Sequence, residues 1–95
     1  MAGPVAVERI AYAHFEPPAY PALSRRLGEQ GLVLLQVLID EDGRPVRIDV
    51  HRSSGYARLD HAALEAVRRA RFRPHREGDR PRAAIALVPV RFEST

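Results

Sequence analysis

The sequence contains no cysteine, which excludes a disulfide framework and any thiolate-ligated metal site. It has no lysine either, so all fifteen of its basic residues are arginine. No apolar run approaches the ~20 residues that a helix needs to span a bilayer. The segment after Met1 lacks the basic start and apolar core of a secretory signal. There is no glycine-rich phosphate loop and no strand-to-helix nucleophile elbow, and no His–acid pair stands in a context that suggests a triad. His14, His51, His61 and His75 show no metal-ligand spacing. Nothing in the chain reads as catalysis, and neither a cofactor nor a metal is expected. The formal charge of +3 on 95 residues favours acidic partners only weakly. Phe92 is the one aromatic residue in the expected strands, so a base-stacking platform is lacking and nucleic acid is not expected as a partner. Gly28-Glu29-Gln30-Gly31 has the spacing of a backbone-clamping GxxG loop, but its variable positions hold an acid and an amide. It reads as a helix stop.

What the chain does have is one strong hairpin, Gly31 to Ser53. Val33, Leu35, Val37 and Ile39 form one face of its first strand, and Leu32, Leu34, Gln36 and Leu38 the other. A strand so apolar on both faces belongs in the middle of a sheet. Asp42-Gly43 supplies the positive φ angles of a tight reversal. The return strand alternates Val46, Ile48 and Val50 with Arg47, Asp49 and His51, the pattern of one wet face.

Around the hairpin, the first fourteen residues carry no strong period; a short strand from Val5-Ala6-Val7 or Ile10-Ala11-Tyr12, or a poorly ordered arm, is expected. Phe15-Glu16-Pro17-Pro18-Ala19-Tyr20-Pro21 reads as a stiff extended arm. Pro21 suits a helix start, and Leu23 and Leu27 at i,i+4 predict a short amphipathic helix from about Pro21 to Gln30. Leu59, Ala63, Ala66, Val67 and Ala70 recur at helical spacing from Arg58 onward. Pro74 bars continuation of that helix. His75 to Arg82 reads as a charged loop, and Ala83 to Phe92 as a last strand.

These elements predict an α+β domain of order α-β-β-α-β. A right-handed crossover gives a three-stranded sheet of order 2-1-3 with two helices on one face. The last strand is left at an edge, where Pro89 belongs. Ala83 to Val88 carries no charge, and Ile85 and Leu87 share the open face with Leu32, Leu34 and Leu38. A bare edge beside an open apolar face suggests strand addition by a partner. Because Pro89 has no N–H, it is expected to point to the free edge. Ile85, Leu87 and Arg91 then point there too, while Ala86, Val88 and Val90 bond inward.

Six pieces occur in order at natural spacings: Tyr20-Pro21-Ala22-Leu23-Ser24, Gly31-Leu32-Val33, Asp42-Gly43-Arg44, Ser53-Ser54-Gly55, Leu59-Asp60-x-Ala62-Ala63-Leu64 and Arg71-Phe72-x-Pro74. The ordered set, covering about Phe15 to Phe92, resembles the C-terminal domain of the TonB energy-transducer family. That resemblance implies residues 15–95 as the domain, with residues 1–14 a linker or arm. It implies a non-enzymatic periplasmic module of a protein anchored in the inner membrane and coupled to the ExbB–ExbD motor. The anchor and proline-rich linker of such proteins are not in these 95 residues, so an excised domain is expected. The implied partners are outer-membrane transporters for iron chelates, haem or cobalamin. Their TonB box is gripped as an added strand, and their plug is touched by the arm.

Carried onto this chain, the partner-binding residues implied are Ala83, Ala84, Ile85, Ala86, Leu87, Val88 and Arg91, together with Phe15, Glu16, Pro17, Pro18 and Tyr20 of the arm. A monomer or weak homodimer fits a bare edge. The alternative is a TolA-like or peptidoglycan-binding envelope domain that uses the seven arginines between Arg68 and Arg82. Two departures from the family pattern stand out. Glu16-Pro17-Pro18 replaces a polar amide in the arm, and Ala70 stands where many members have Trp.

Overall fold

The computed structural model describes residues 3–94. Its central strand is β3 (Gly31–Ile39), where the run of apolar residues on both faces requires it. β4 (Pro45–Arg52) returns antiparallel on one side, pairing Gln36 with Asp49 and Val37 with Ile48. β8 (Ala84–Phe92) lies antiparallel on the other side, in unbroken register from Gly31↔Phe92 to Ile39↔Ala84. Between β4 and β8, α2 (Ala57–Arg68) crosses over β3, giving the expected 2-1-3 order of the three long strands.

The hairpin reverses through Asp40 to Arg44. The Asp40 carboxylate accepts the amides of Asp42 and Arg44, both at 2.9 Å, and Gly43 takes φ +86°. A methyl group at Gly43 would lie 2.0 Å from the carbonyl oxygen of Phe72, so the turn is also a point of backbone contact. The Phe72 amide donates to the Gly43 carbonyl there at 2.8 Å.

The core lies between the sheet and the helices. Val33, Leu35, Val37 and Ile39 of β3 face Leu59, Ala63 and Val67 of α2, with Ala86, Val88, Val90 and Phe92 of β8 beside them. Each buried Val, Leu or Phe contributes about 1.5–3 kcal/mol relative to exposure. The start of α2 is fixed by Asp60, whose carboxylate accepts from the Ser53 and Ser54 hydroxyls and, at 2.9 Å, from the Ser54 amide. Burial raises the Asp60 pKa, but those hydrogen bonds outweigh it and leave the carboxyl below its ordinary value.

Four features differ from the expectations. First, the last strand's edge is not bare: β1 (Val5–Ala6) pairs parallel with it, making a four-stranded sheet of order β1-β8-β3-β4. A two-residue strand has too few side chains to show a period. Second, α1 (Ala22–Leu27) is shorter than expected and leaves Leu23 and Leu27 44% and 61% exposed. The small Ser24 turns inward instead, because the helix meets the core through Tyr20, whose ring stands edge-on to Phe92 at 5.5 Å. Gly28 then ends the helix in the left-handed region, its amide and that of Glu29 returning to Arg25 and Ser24.

Third, the expected charged loop is a hairpin, β6 (His75–Glu77) and β7 (Arg80–Arg82), turning at Gly78. Its strands lack the β-branched alternation by which strands are recognised. Fourth, β5 (Arg71–Phe72) pairs with β2 (Tyr12–His14). The Tyr12 ring stacks on Phe72 at 4.9 Å and on Phe15 at 4.3 Å. Ala70, just past the end of α2, is buried in the same core cluster as Phe72.

Candidate functional site

The outer side of β8 is built by strand alternation. Ala84, Ala86, Val88, Val90 and Phe92 are buried towards the helices, and the intervening Ile85, Leu87, Pro89 and Arg91 stand on the open face. That open face continues across β3 as Leu32, Leu34, Gln36 and Leu38, and across β4 as Arg47 and Asp49. The pairs Leu38↔Ile85 and Gln36↔Leu87 place the apolar side chains next to one another. A groove on this face is lined by Ala6, Glu8, Gln36, His51, Ile85 and Leu87. In a neighbouring hollow, lined also by Gln36, Leu38 and Ile85, Arg47 donates to Asp49 at 3.0 Å.

The backbone follows the same alternation in the plane of the sheet. Val5 donates to the Ala83 carbonyl at 3.0 Å and Val7 to the Ile85 carbonyl at 2.9 Å. The odd-numbered residues of β8 therefore direct their polar groups away from β3, the side on which Pro89 costs the ladder nothing. Beyond Ile85, among the described residues, no strand pairs with the outward side of β8 at Leu87, Pro89 or Arg91.

The two groups of expected partner-binding residues are placed differently. Ala83 and Ile85 are partly buried and carry the outward carbonyls taken by β1, and Leu87 and Arg91 are exposed. The side chains of Ala84, Ala86 and Val88 are buried in the core, so these residues offer an incoming strand no side chain on the open face. In the arm, Phe15 packs on Tyr12 and Tyr20 on Phe92, while Glu16 and Pro17 are exposed and Pro18 is partly covered. Tyr20 also donates its hydroxyl to the Glu29 carbonyl and carries the Arg25 guanidinium over its ring at 4.6 Å. The arm thus bridges two core aromatics, Phe72 through the Tyr12 stack and Phe92 through Tyr20. Sequence reasoning missed Val5 and Val7 as occupants of the edge.

Several of the remaining charged groups are locally satisfied. Glu29 is buried and held by Arg58, with the shorter contact at 2.6 Å, which keeps its carboxyl below the ordinary range. Arg68 pairs with Glu65, Arg71 donates to the Ala70 carbonyl, and Arg82 bonds Glu77 and the Gly3 carbonyl. Among the described residues no cluster of His, Asp and Glu is placed to hold a metal ion, and no helix is long and apolar enough to cross a membrane.

A model of the Gram-negative bacterial TonB protein C-terminal domain matches residues 16–94. The chain is 43% identical over 82 residues to protein TonB2 of Pseudomonas aeruginosa, covering 86% of this chain and 30% of that protein. It is 32% identical over 91 residues to protein TonB of Vibrio cholerae, covering 95% of this chain and 37% of that protein. It thus spans about a third of the length of these relatives. Among solved structures, the solution structure of the Pseudomonas aeruginosa TonB C-terminal domain superposes with a TM-score of 0.75 at 26% identity, over 94% of this chain and 92% of that one.

Proposed function

Because the chain belongs to the family of Gram-negative TonB C-terminal domains, we propose that it is the partner-binding end of a TonB-type energy transducer. In this reading it works in the periplasm, on a parent protein anchored in the inner membrane and driven by ExbB–ExbD. It grips the TonB box of outer-membrane transporters for iron chelates, haem or cobalamin as a strand added to β8. The arm from Phe15 to Tyr20 lies against the transporter plug. The module does no chemistry; it transmits force through backbone hydrogen bonds, which resist pulling along the strand.

The observation that supports this reading is the outer side of β8. Its odd-numbered carbonyls point away from β3 and already accept an added strand, and Leu87, exposed by 41%, continues the apolar face beside it. A peptidoglycan-docking role is less well supported. Arg68 and Arg71, two of the arginines it would use, are engaged by Glu65 and the Ala70 carbonyl.

The test is a titration of the isotope-labelled chain with a synthetic peptide carrying a transporter TonB box. Amide shifts are expected along Ala83–Phe92 and in the arm. Shifts confined to β4 or to the β6–β7 hairpin, or none at all, would refute it.

A further inference from the structure

We propose that Val5 to Val7 is a built-in occupant of the partner-binding edge, which an incoming strand has to displace. The inference rests on the strand-addition reading for its biological meaning, but the occupancy itself stands on geometry. β1 lies parallel to β8 in the register Val5↔Ala84 and Ala6↔Ile85. It uses the Ala83 and Ile85 carbonyls, the acceptors that any further strand at this end of the edge would need.

The fit has a reason in the side chains. Ala84 and Ala86 are the two small residues on the buried face of β8, which elsewhere carries Val88, Val90 and Phe92. Val5 lies opposite Ala84 and Val7 packs against the core, covering these small residues, while Ala6 lies on the groove beside Ile85. The pattern predicts what a displacing strand carries: β-branched or similar aliphatic residues at two alternate positions over Ala84 and Ala86, with a freely chosen residue between them.

The segment is also built to let go. Besides the two-residue β1–β8 ladder, its described polar attachments are Val5 to Ala83, Val7 to Ile85, and the Arg82 guanidinium to the Gly3 carbonyl at 3.1 Å. The chain after it is fixed independently, by the Tyr12 ring on Phe72 and by the Arg73 amide on the Ala11 carbonyl at 2.8 Å. Residues 3–7 can therefore leave the edge while β2 and the aromatic stack stay in place. Tethered only a few residues from its site, the segment competes at a high effective concentration and lowers the apparent affinity of any external strand.

A reversible lock tests this. The chain has no native cysteine, so Ala6→Cys with Ile85→Cys places a single pair on facing residues of adjacent strands, a separation that a disulfide spans. Two probes are titrated against the oxidised and reduced forms of this one molecule, after a thermal melt of each. One is a synthetic peptide of residues 3–9 of this chain, and the other a synthetic transporter TonB-box peptide. A second variant, Val5→Asp with Val7→Asp, frees the edge without a crosslink.

The oxidised form is expected to bind both peptides at least about tenfold more weakly than the reduced form. The double aspartate variant is expected to bind them more tightly than the parent chain. Equal affinity of the residue 3–9 peptide for locked, reduced and aspartate forms, or no binding to any, would overturn the occupancy proposal. If that peptide behaves as expected while the TonB-box peptide binds no form, the strand-addition function fails and the self-strand stands.

Discussion

Gly43→Ala concentrates the folding argument in one atom. The residue sits at φ +86°, where an L-residue costs about 1–2 kcal/mol. The added methyl would also lie 2.0 Å from the Phe72 carbonyl oxygen and 3.1 Å from its carbon, both backbone atoms that cannot rotate aside. Either the turn or β5 has to move, and movement breaks the hydrogen bond from the Phe72 amide to the Gly43 carbonyl. Losing such a buried bond costs about 1–3 kcal/mol. It also shifts a Phe72 ring that is 2% exposed and stacked on Tyr12. The sum is about 2–5 kcal/mol, a large share of the ~5–15 kcal/mol of a typical domain. For a domain of this size that corresponds to a fall of about 8–40 °C in Tm. Gly55→Ala is the control, because Gly55 has φ +95° with no atom within 4 Å of the new methyl, so only the backbone term applies. Chemical and thermal denaturation of both variants gives the difference. If Gly43→Ala costs no more than Gly55→Ala, the contact between the turn and β5 contributes nothing.

Three further outcomes follow from the same geometry. Leu87→Pro should leave a folded domain that no longer binds a strand peptide, whereas Val88→Pro, opposite Leu35 in the β3 ladder, should unfold it by about 3 kcal/mol or more; circular dichroism and peptide titration separate the two. Ala70→Trp should destabilise by about 1–3 kcal/mol, because Ala70 is 1% exposed in a core it shares with Val67 and Phe72; a melt at or above that of the parent would refute this. Asp60 and Glu29 both have folded pKa values below their unfolded ones, so their stabilisation is present above the unfolded pKa, about 4, and is lost as pH falls through the folded values. Asp60→Asn should lower Tm at pH 7 and flatten the decline on acidification, as melts at a series of pH values would show.

The parts of the fold that were legible are those whose signal lies within a few residues. The hairpin was visible because Asp42-Gly43 marks a reversal and the flanking runs alternate. α2 was visible because its small apolar residues keep helical spacing to Ala70. What escaped depends on who meets whom. Leu23 and Leu27 have the spacing of a buried stripe, yet a six-residue helix set on the core by Tyr20 turns Ser24 inward instead. Ser53-Ser54-Gly55 reads as a break, and only the folded chain shows two of its hydroxyls on Asp60. The hairpin of β6 and β7 is written in arginine and glutamate, which no strand propensity marks.

The candidate site divides along the same line. Which side of β8 faces outward was legible from a single missing hydrogen, since a proline beside a central strand has to turn its nitrogen away from it. The carbonyls of Ala83 and Ile85 lie on that outward side. What already sits there was not legible, because Val5-Ala6-Val7 is two valines around an alanine with no period to read. Its place is set by the partner: Val5 lies opposite the small Ala84, and the Ala83 and Ile85 carbonyls, turned away from β3, accept the Val5 and Val7 amides. A short segment can thus be specified by the edge it completes, with almost nothing in its own sequence to announce it. The same economy applies to any strand that replaces it, since backbone hydrogen bonds supply the grip and two small aliphatic side chains supply the register.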